Sequence, residues 1–174
     1  MLKGNHIVFY YYGNLHLNIG LNFFMNHAAS NHHYLYLCTD NLSVLNNYKL
    51  NNSNHLAVEE LFPSKNTAFK ENVYSIIDFH QNNNYSGVSF VIDASYILKK
   101  LSENQFLQFE KSLTKVISHT PCSFLCLYNF EDFLKDQVFI NHKMVKKSLR
   151  LHSHKLNTDT IVRLNQFYHP TLMI

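Results

Sequence analysis

Apolar residues fall in short, almost unbroken runs separated by polar stretches, and the clearest succession lies between Gly87 and Asn129. Gly87-Val88-Ser89-Phe90-Val91-Ile92-Asp93 is apolar, β-branched and ended by a carboxylate, as suits a strand buried on both faces of a parallel sheet. Ser102, with Gln105 three residues later, forms a capping box that opens a helix. Phe106, Phe109, Leu113, Val116 and Ile117 then recur at spacings of three and four, a single apolar stripe with Lys111 and Lys115 on the opposite side. Pro121 follows, and residues 123–128 repeat the buried-strand composition. A βαβ unit with a right-handed crossover is the economical reading.

The same reading extends in both directions. Residues 6–12 form a first strand, closed by Gly13 and Asn14, with Tyr10, Tyr11 and Tyr12 on a strand covered on both faces. Leu15, Leu17, Ile19, Leu21 and Phe23 alternate with polar residues as a strand would. Leu15, Ile19 and Phe23 also share a helical face, which Phe24, Met25, Ala28 and Ala29 extend. The helix is preferred because βα repeats follow downstream, although Gly20 and the asparagines are poor helix formers. Residues 33–39 read as a second strand, Asp40 as the cap of a short helix holding Val44 and Leu45, and residues 49–54 as a polar loop. A short strand at 55–58 precedes a helix at 69–79 with Phe69, Val73, Ile76 and Ile77 on one face. After the central unit come a turn or short helix at 131–134 and a helical or irregular segment with Val138, Phe139 and Met144. An edge strand at 148–154 and a last helix at 158–167 complete the chain. The expectation is an α/β fold with a mostly parallel sheet flanked by helices. It forms a single domain over residues 1–174, with its core in 6–150 and a C-terminal strand and helix in 148–174.

Composition narrows the function classes. A chain of 174 residues with 46% hydrophobic residues can bury a proper core, and a net charge of +3 is too small to imply nucleic acid. Cys38, Cys122 and Cys126 all lie in or beside expected strands. On one strand, Cys122 and Cys126 would have Cα atoms about 13 Å apart, beyond disulfide reach. Reduced thiols and a cytoplasmic location are therefore expected. No leader is visible, and no apolar run approaches the roughly 18 residues of a membrane span.

Several segments carry more than pattern. They are His6-Ile7-Val8-Phe9-Tyr10, the 34–39 strand followed by Asp40, Tyr85-Ser86-Gly87 leading to Asp93-Ala94-Ser95, Phe109-Glu110, Leu125-Cys126-Leu127-Tyr128-Asn129, and His142. In order and spacing they resemble the MEDS domain, the DcmR-like sensory domain of prokaryotic regulators, over roughly residues 6–150. The resemblance implies a RecA/KaiC-like core that has lost its nucleotide site, with no cofactor. The turn corresponding to a phosphate loop, Gly13-Asn14-Leu15-His16-Leu17-Asn18-Ile19-Gly20, has no Lys and carries leucines where glycines should stand. No ATP hydrolysis is expected, and Asp93, where a Mg²⁺-organising carboxylate would be, has nothing to organise. The resemblance also implies sensing of small, often hydrocarbon-like molecules, or relay of a signal. Many relatives carry a DNA-binding, kinase or anti-sigma-antagonist module. This sequence shows none, so its output is expected to be a contact with a histidine kinase or a transcription or sigma-factor regulator. Phe109 in place of Tyr and Asn129 in place of Asp depart from the family pattern.

The expected ligand-binding set is His6, Tyr10, Asp93, Glu110, Cys126, Tyr128 and His142. Cys126 and Tyr128 share a strand face by period two. Core packing is the plain reading, and a pocket at the carboxyl ends of the strands is the functional one. Asp93 and Glu110 read first as hydrogen-bonded structural carboxylates. Twelve histidines include a cluster at His27, His32 and His33, and His152 and His154 would share a strand face. None follows a zinc-binding spacing, so no metal is assigned. Lys143, Lys146, Lys147 and Arg150 form a basic run, with Lys155 and Arg163 nearby, that is either a solvated face or a surface for an acidic protein partner. Nucleic acid ranks third, since no aromatics interleave with the charges. An exposed sheet edge also offers a route to a homodimer. The favoured function is a non-catalytic regulatory protein that binds a small apolar molecule, a signalling protein, or both. The alternative is a degenerate nucleotide-binding or metal-dependent enzyme.

Overall fold

The computed structural model describes residues 4–39, 53–57, 66–135 and 142–164. The expected α/β architecture is present. A seven-stranded sheet has the order β3-β2-β4-β5-β1-β6-β7, built from β1 (His6–Tyr11), β2 (His33–Cys38), β3 (Ser53–His55), β4 (Gly87–Asp93), β5 (Cys122–Asn129), β6 (His154–Asn157) and β7 (Thr160–Arg163). Six strands run parallel and β7 turns back antiparallel on β6. The helices are α1 (Gly13–Ser30), α2 (Asn66–Asn82), α3 (Ala94–Lys100), α4 (Glu103–Ile117), α5 (Phe130–Lys135) and α6 (His142–Leu151).

Period-two alternation along the strands sorts side chains between the two faces of the sheet. Ile7, Phe9, Tyr11, Val91, Leu125 and Leu127 point to one face, where α1 covers them with Leu17, Leu21, Phe24, Met25 and Ala28. Val8, Phe90, Ile92, Cys126 and Tyr128 point to the other, under α2, α3, α4 and α6. Strands covered on both faces need continuous apolar runs, which is why β4 and β5 were legible as such. The β4–β5 pairing is parallel, with Val88 opposite Cys122 and Asp93 opposite Leu127, so the expected βαβ unit forms. Its crossover holds two helices. Asp93 ends β4 and caps the short α3, and the Ser102–Gln105 capping box then starts α4. Ser102 Oγ accepts from Gln105 N at 3.3 Å, and Ser102 N donates to Gln105 Oε1 at 3.0 Å.

Several expectations need correction. Tyr12 lies beyond β1 and is 59% exposed, so the tyrosine run is not all covered strand. The short strand begins at Ser53 and ends at His55, taking in part of the expected polar loop. Helix α2 starts at Asn66 and continues to Asn82. Residues 148–154 are not an edge strand: α6 runs to Leu151 because Met144, Ser148 and His152 at i, i+4 and i+8 pack inward together. Residues 158–163 are not a helix either, since 154–163 forms the β6–β7 hairpin. The helix expected after Asp40, and Val138 and Phe139, lie outside the described residues.

The 15–29 segment is helical, as preferred over the strand reading, and its propensity handicap has a packing reason. A Cβ on Gly20 would sit 2.4 Å from Cζ of Phe9, a ring with no solvent exposure. Gly20 thus lets α1 approach the sheet over β1. Gly20→Ala should lower stability by about 1–3 kcal/mol through overpacking, against the gain of about 1 kcal/mol that helix propensity alone would give. A thermal melt decides the sign. A midpoint equal to or above the wild type would mean that Phe9 has room to yield.

Candidate functional site

A carboxylate in the middle of an apolar helical face carries a large desolvation cost unless it is paired. Glu110 is such a residue. It lies on the α4 stripe with Phe106, Phe109 and Leu113 and is fully buried. Four groups from three other elements, or the turn after one of them, meet it. Tyr128 of β5 donates its hydroxyl to Glu110 Oε1 at 2.7 Å. His6, the first residue of β1, places Nε2 3.2 Å from Glu110 Oε2. His152, just past α6, places its own Nε2 3.4 Å from the same oxygen. Cys126 Sγ lies 3.5 Å from His6 Nε2. The two imidazoles overlap, with centroids 3.9 Å apart and planes inclined by 32°.

The outer nitrogen of each ring is fixed by a backbone carbonyl. His6 Nδ1 lies 3.1 Å from Leu151 O and His152 Nδ1 lies 2.7 Å from Ser148 O. A carbonyl only accepts, so both Nδ1 atoms carry hydrogen, and it is the two Nε2 atoms that face Glu110. Thr114 Oγ1 also approaches His6 Nδ1, at 3.1 Å. Ser148 Oγ links Tyr128 Oη at 2.7 Å to α6. Glu110 Oε2 and His152 Nε2 make no well-formed hydrogen bond within the cluster. A proton shared with either Nε2, or a cation between them, would satisfy this carboxylate oxygen.

Burial also sets the charge states. It pushes His152 down to about 4, with His6 adding to the effect and Glu110 opposing it, so His152 is neutral near pH 7. Burial, reinforced by Glu110, pushes the Cys126 thiol well above its ordinary range. For Glu110 burial acts upward, but the His152 and His6 rings and the Tyr128 hydroxyl outweigh it and hold the carboxyl below its ordinary range.

Among the described residues, His6, Glu110, Cys126 and His152 are the one group of three or more His, Cys, Asp or Glu side chains that could hold a metal, their donor atoms within 4.8 Å of one another. His27, His32 and His33 form no such group, although His27 and His33 line one small pocket: His27 stacks near Phe23, His32 on Tyr85, and His33 meets Ser89 Oγ. Of the expected ligand residues, the structure brings together His6, Glu110, Cys126 and Tyr128. Tyr10 packs on the rim, its ring 5.1 Å from that of Tyr128. Asp93 stands apart as the α3 cap, accepting from Tyr96 N at 3.0 Å and Thr39 Oγ1 at 3.2 Å. His142 opens α6, and its side chain lies outside the described atoms.

His152 was missed because the strand reading paired it with His154. The i, i+4, i+8 series Met144, Ser148, His152 was the signal for a helical face. The basic run divides. Lys143 and Lys147 both reach Glu103 Oε1, at 3.5 and 2.7 Å, while Lys146 and Arg150 are exposed.

A cleft of about 430 Å³ lies at the carboxyl end of β1, walled by Tyr10, Tyr11, Phe130, Val145 and Leu149, with His16 and Lys155 among its polar groups. Tyr10 therefore touches both the cleft and the buried cluster, and α6 contributes to both.

The family model described as MEDS, the MEthanogen/methylotroph, DcmR Sensory domain, matches residues 5–144. No curated protein matches the chain.

The unfolded chain takes up a proton on His152 near pH 6.5, and the folded chain only near 4. This group's contribution to stability is thus complete above pH 6.5 and lost as the pH falls through that window, at up to about 1.4 kcal/mol per pH unit. Urea midpoints of the wild type should fall from neutral pH to about pH 5 more steeply than those of His152→Asn. Parallel curves would show that His152 is not held neutral in the core.

Proposed function

Because the chain belongs to the MEDS family of sensory domains, with a role in signalling, we propose that it works without catalysis, binding a small, mostly apolar molecule in the cleft beside Tyr10 and reporting it to a signalling protein. The observation that carries this reading is the cleft itself. It lies at the carboxyl ends of parallel strands, where open α/β sheets take ligands, and its volume is within the range of small-molecule sites. Its walls are chiefly aromatic and aliphatic, and Lys155 and His16 give a polar handle at one side. Occupation would bear on Val145 and Leu149 of α6, and on Tyr10, which packs against Tyr128. A ligand there has a direct mechanical route to the buried cluster.

The enzyme readings have less to support them. Helix α1 begins at Gly13, one residue after Tyr12, which leaves no loop between β1 and α1 to wrap a phosphate chain. Asp93 is occupied in capping α3. The RecA/KaiC-like ancestry and the single-domain organisation belong to the same proposal, as does docking on a kinase or sigma-factor regulator. No helix among the described residues is long and apolar enough to cross a membrane.

Titration with benzene, toluene, cyclohexane and short-chain alcohols, followed by thermal melting and calorimetry, tests the reading. At least one apolar probe should raise the melting temperature saturably, and Val145→Trp, which fills the cleft, should abolish the rise while the variant still melts cooperatively. Indifference of the wild type to all probes, or an equal response in Val145→Trp, would remove the cleft as the ligand site.

A further inference from the structure

We propose that His6 Nε2, Glu110 Oε2, Cys126 Sγ and His152 Nε2 form a closed, four-coordinate site for a divalent transition-metal ion of the zinc class. The inference is independent of the sensory reading, because it rests on the buried cluster alone.

Donor spacing is the first argument. Ligands 2.0–2.3 Å from a tetrahedral ion lie about 3.3–3.6 Å from one another. Three of the six separations within the quartet fall in or near that range: 3.2 Å for His6 to Glu110, 3.4 Å for His152 to Glu110 and 3.5 Å for Cys126 to His6. Of these three, the one to the sulfur is the longest, in the direction the longer metal–sulfur bond requires. All four donors stay within 4.8 Å of one another.

The second argument is lone-pair direction. Metal-bound histidine usually donates its other ring N–H to a carbonyl or carboxylate, which fixes the tautomer and aims the ring. His6 and His152 both do so, toward Leu151 O and Ser148 O, from two separate elements. Glu110 is held in the same manner by Tyr128, which leaves Oε2 turned toward the imidazoles. Glu110 Oε2 and His152 Nε2 are fully buried polar atoms without a well-formed hydrogen bond, and a cation between them would satisfy both.

Charge is the third. Two neutral imidazoles, a carboxylate and a thiolate balance a divalent ion, so the loaded site is neutral and avoids the cost of burying net charge. On loading, the sulfur–hydrogen bond of Cys126 breaks, a metal–sulfur bond forms, and one proton leaves to solvent. Two nitrogens, one oxygen and one sulfur suit a borderline-soft ion and not Mg²⁺ or Ca²⁺, which take oxygen ligands. With four protein donors and no exposure, the ion has no open position for a substrate. It would tie β1, α4, β5 and the end of α6 together.

Co²⁺ is the spectroscopic probe, with Zn²⁺ for stoichiometry by elemental analysis. Each is offered both to the native full-length protein and during refolding from urea, because the ligands are closed to solvent. The expected result is one equivalent of either ion, with intense tetrahedral Co²⁺ bands and a thiolate-to-cobalt charge-transfer band. That charge-transfer band should vanish in Cys126→Ser and persist in Cys38→Ser. Tyr128→Phe, which releases Glu110 but removes no ligand, should weaken Zn²⁺ binding about 10–100-fold. Failure of the wild type to take up either ion under both conditions, weak octahedral bands, or a charge-transfer band untouched by Cys126→Ser would overturn the proposal. The first two readouts use the wild type, so they hold even where a variant fails to fold.

Discussion

The interior of this protein is arranged around the cost of placing one carboxylate where water cannot reach. Glu110 occupies a position on α4 that the helical period assigns to the core, between Phe106 and Leu113. Left unpaired, it would destabilise the fold by more than most domains have to spare. The pairing draws in the start of β1, the middle of β5 and the turn after α6, with α4 itself supplying the carboxylate. These segments are far apart in sequence, yet each brings a polar side chain to the same point, β5 bringing both Cys126 and Tyr128. A mispaired strand or a shifted helix would leave a buried charge uncompensated, so the cluster also specifies register.

The sheet makes that meeting possible. Strand β1 lies between β5 and β6, and its His6 is aligned with Phe124 of β5 while Ile7 is aligned with His154 of β6. The pleat then sends His6, Val8 and Tyr10 to the face that also receives Cys126 and Tyr128, and sends Ile7, Phe9 and Tyr11 under α1. The polar cluster and the wall of the cleft are thus successive positions along one face of one strand. Tyr10 stands between them, against Tyr128. Helix α6 spans the same distance: Val145 and Leu149 face the cleft, and Ser148 meets Tyr128 in the cluster. A molecule in the cleft and an ion in the cluster would bear on the same two elements, which is the physical basis for coupling between them.

Much of this was legible from residue patterns. The capping box, the apolar runs of β4 and β5 and the stripe of α4 are local signals, because hydrogen bonding and periodicity act over a few residues. His6, Glu110, Cys126 and Tyr128 belong to the candidate set that the sequence offers, and they meet in the buried cluster. What went wrong lay at the C-terminal end. His152-Ser153-His154 reads equally as strand, and only Met144 and Ser148 upstream show that the helical face reaches His152. The 160–163 strand is mostly exposed and short, so its pairing with β6 outweighs weak local preference.

The amino-acid sequence by itself determined the α/β class, the central βαβ unit and the lack of a phosphate-loop motif. Those follow from composition and spacing within single elements. The tertiary structure alone decided that His6 and His152 face one carboxylate, that Asp93 is used up in capping α3, and that the basic run divides between Glu103 and solvent. No spacing rule could supply these facts. The convergence is made by strand order, which places β1 beside β5 and β6, and by the return of α6 over α4. Such long-range pairings are fixed by burying the whole apolar surface at once, and not by any segment's own preference.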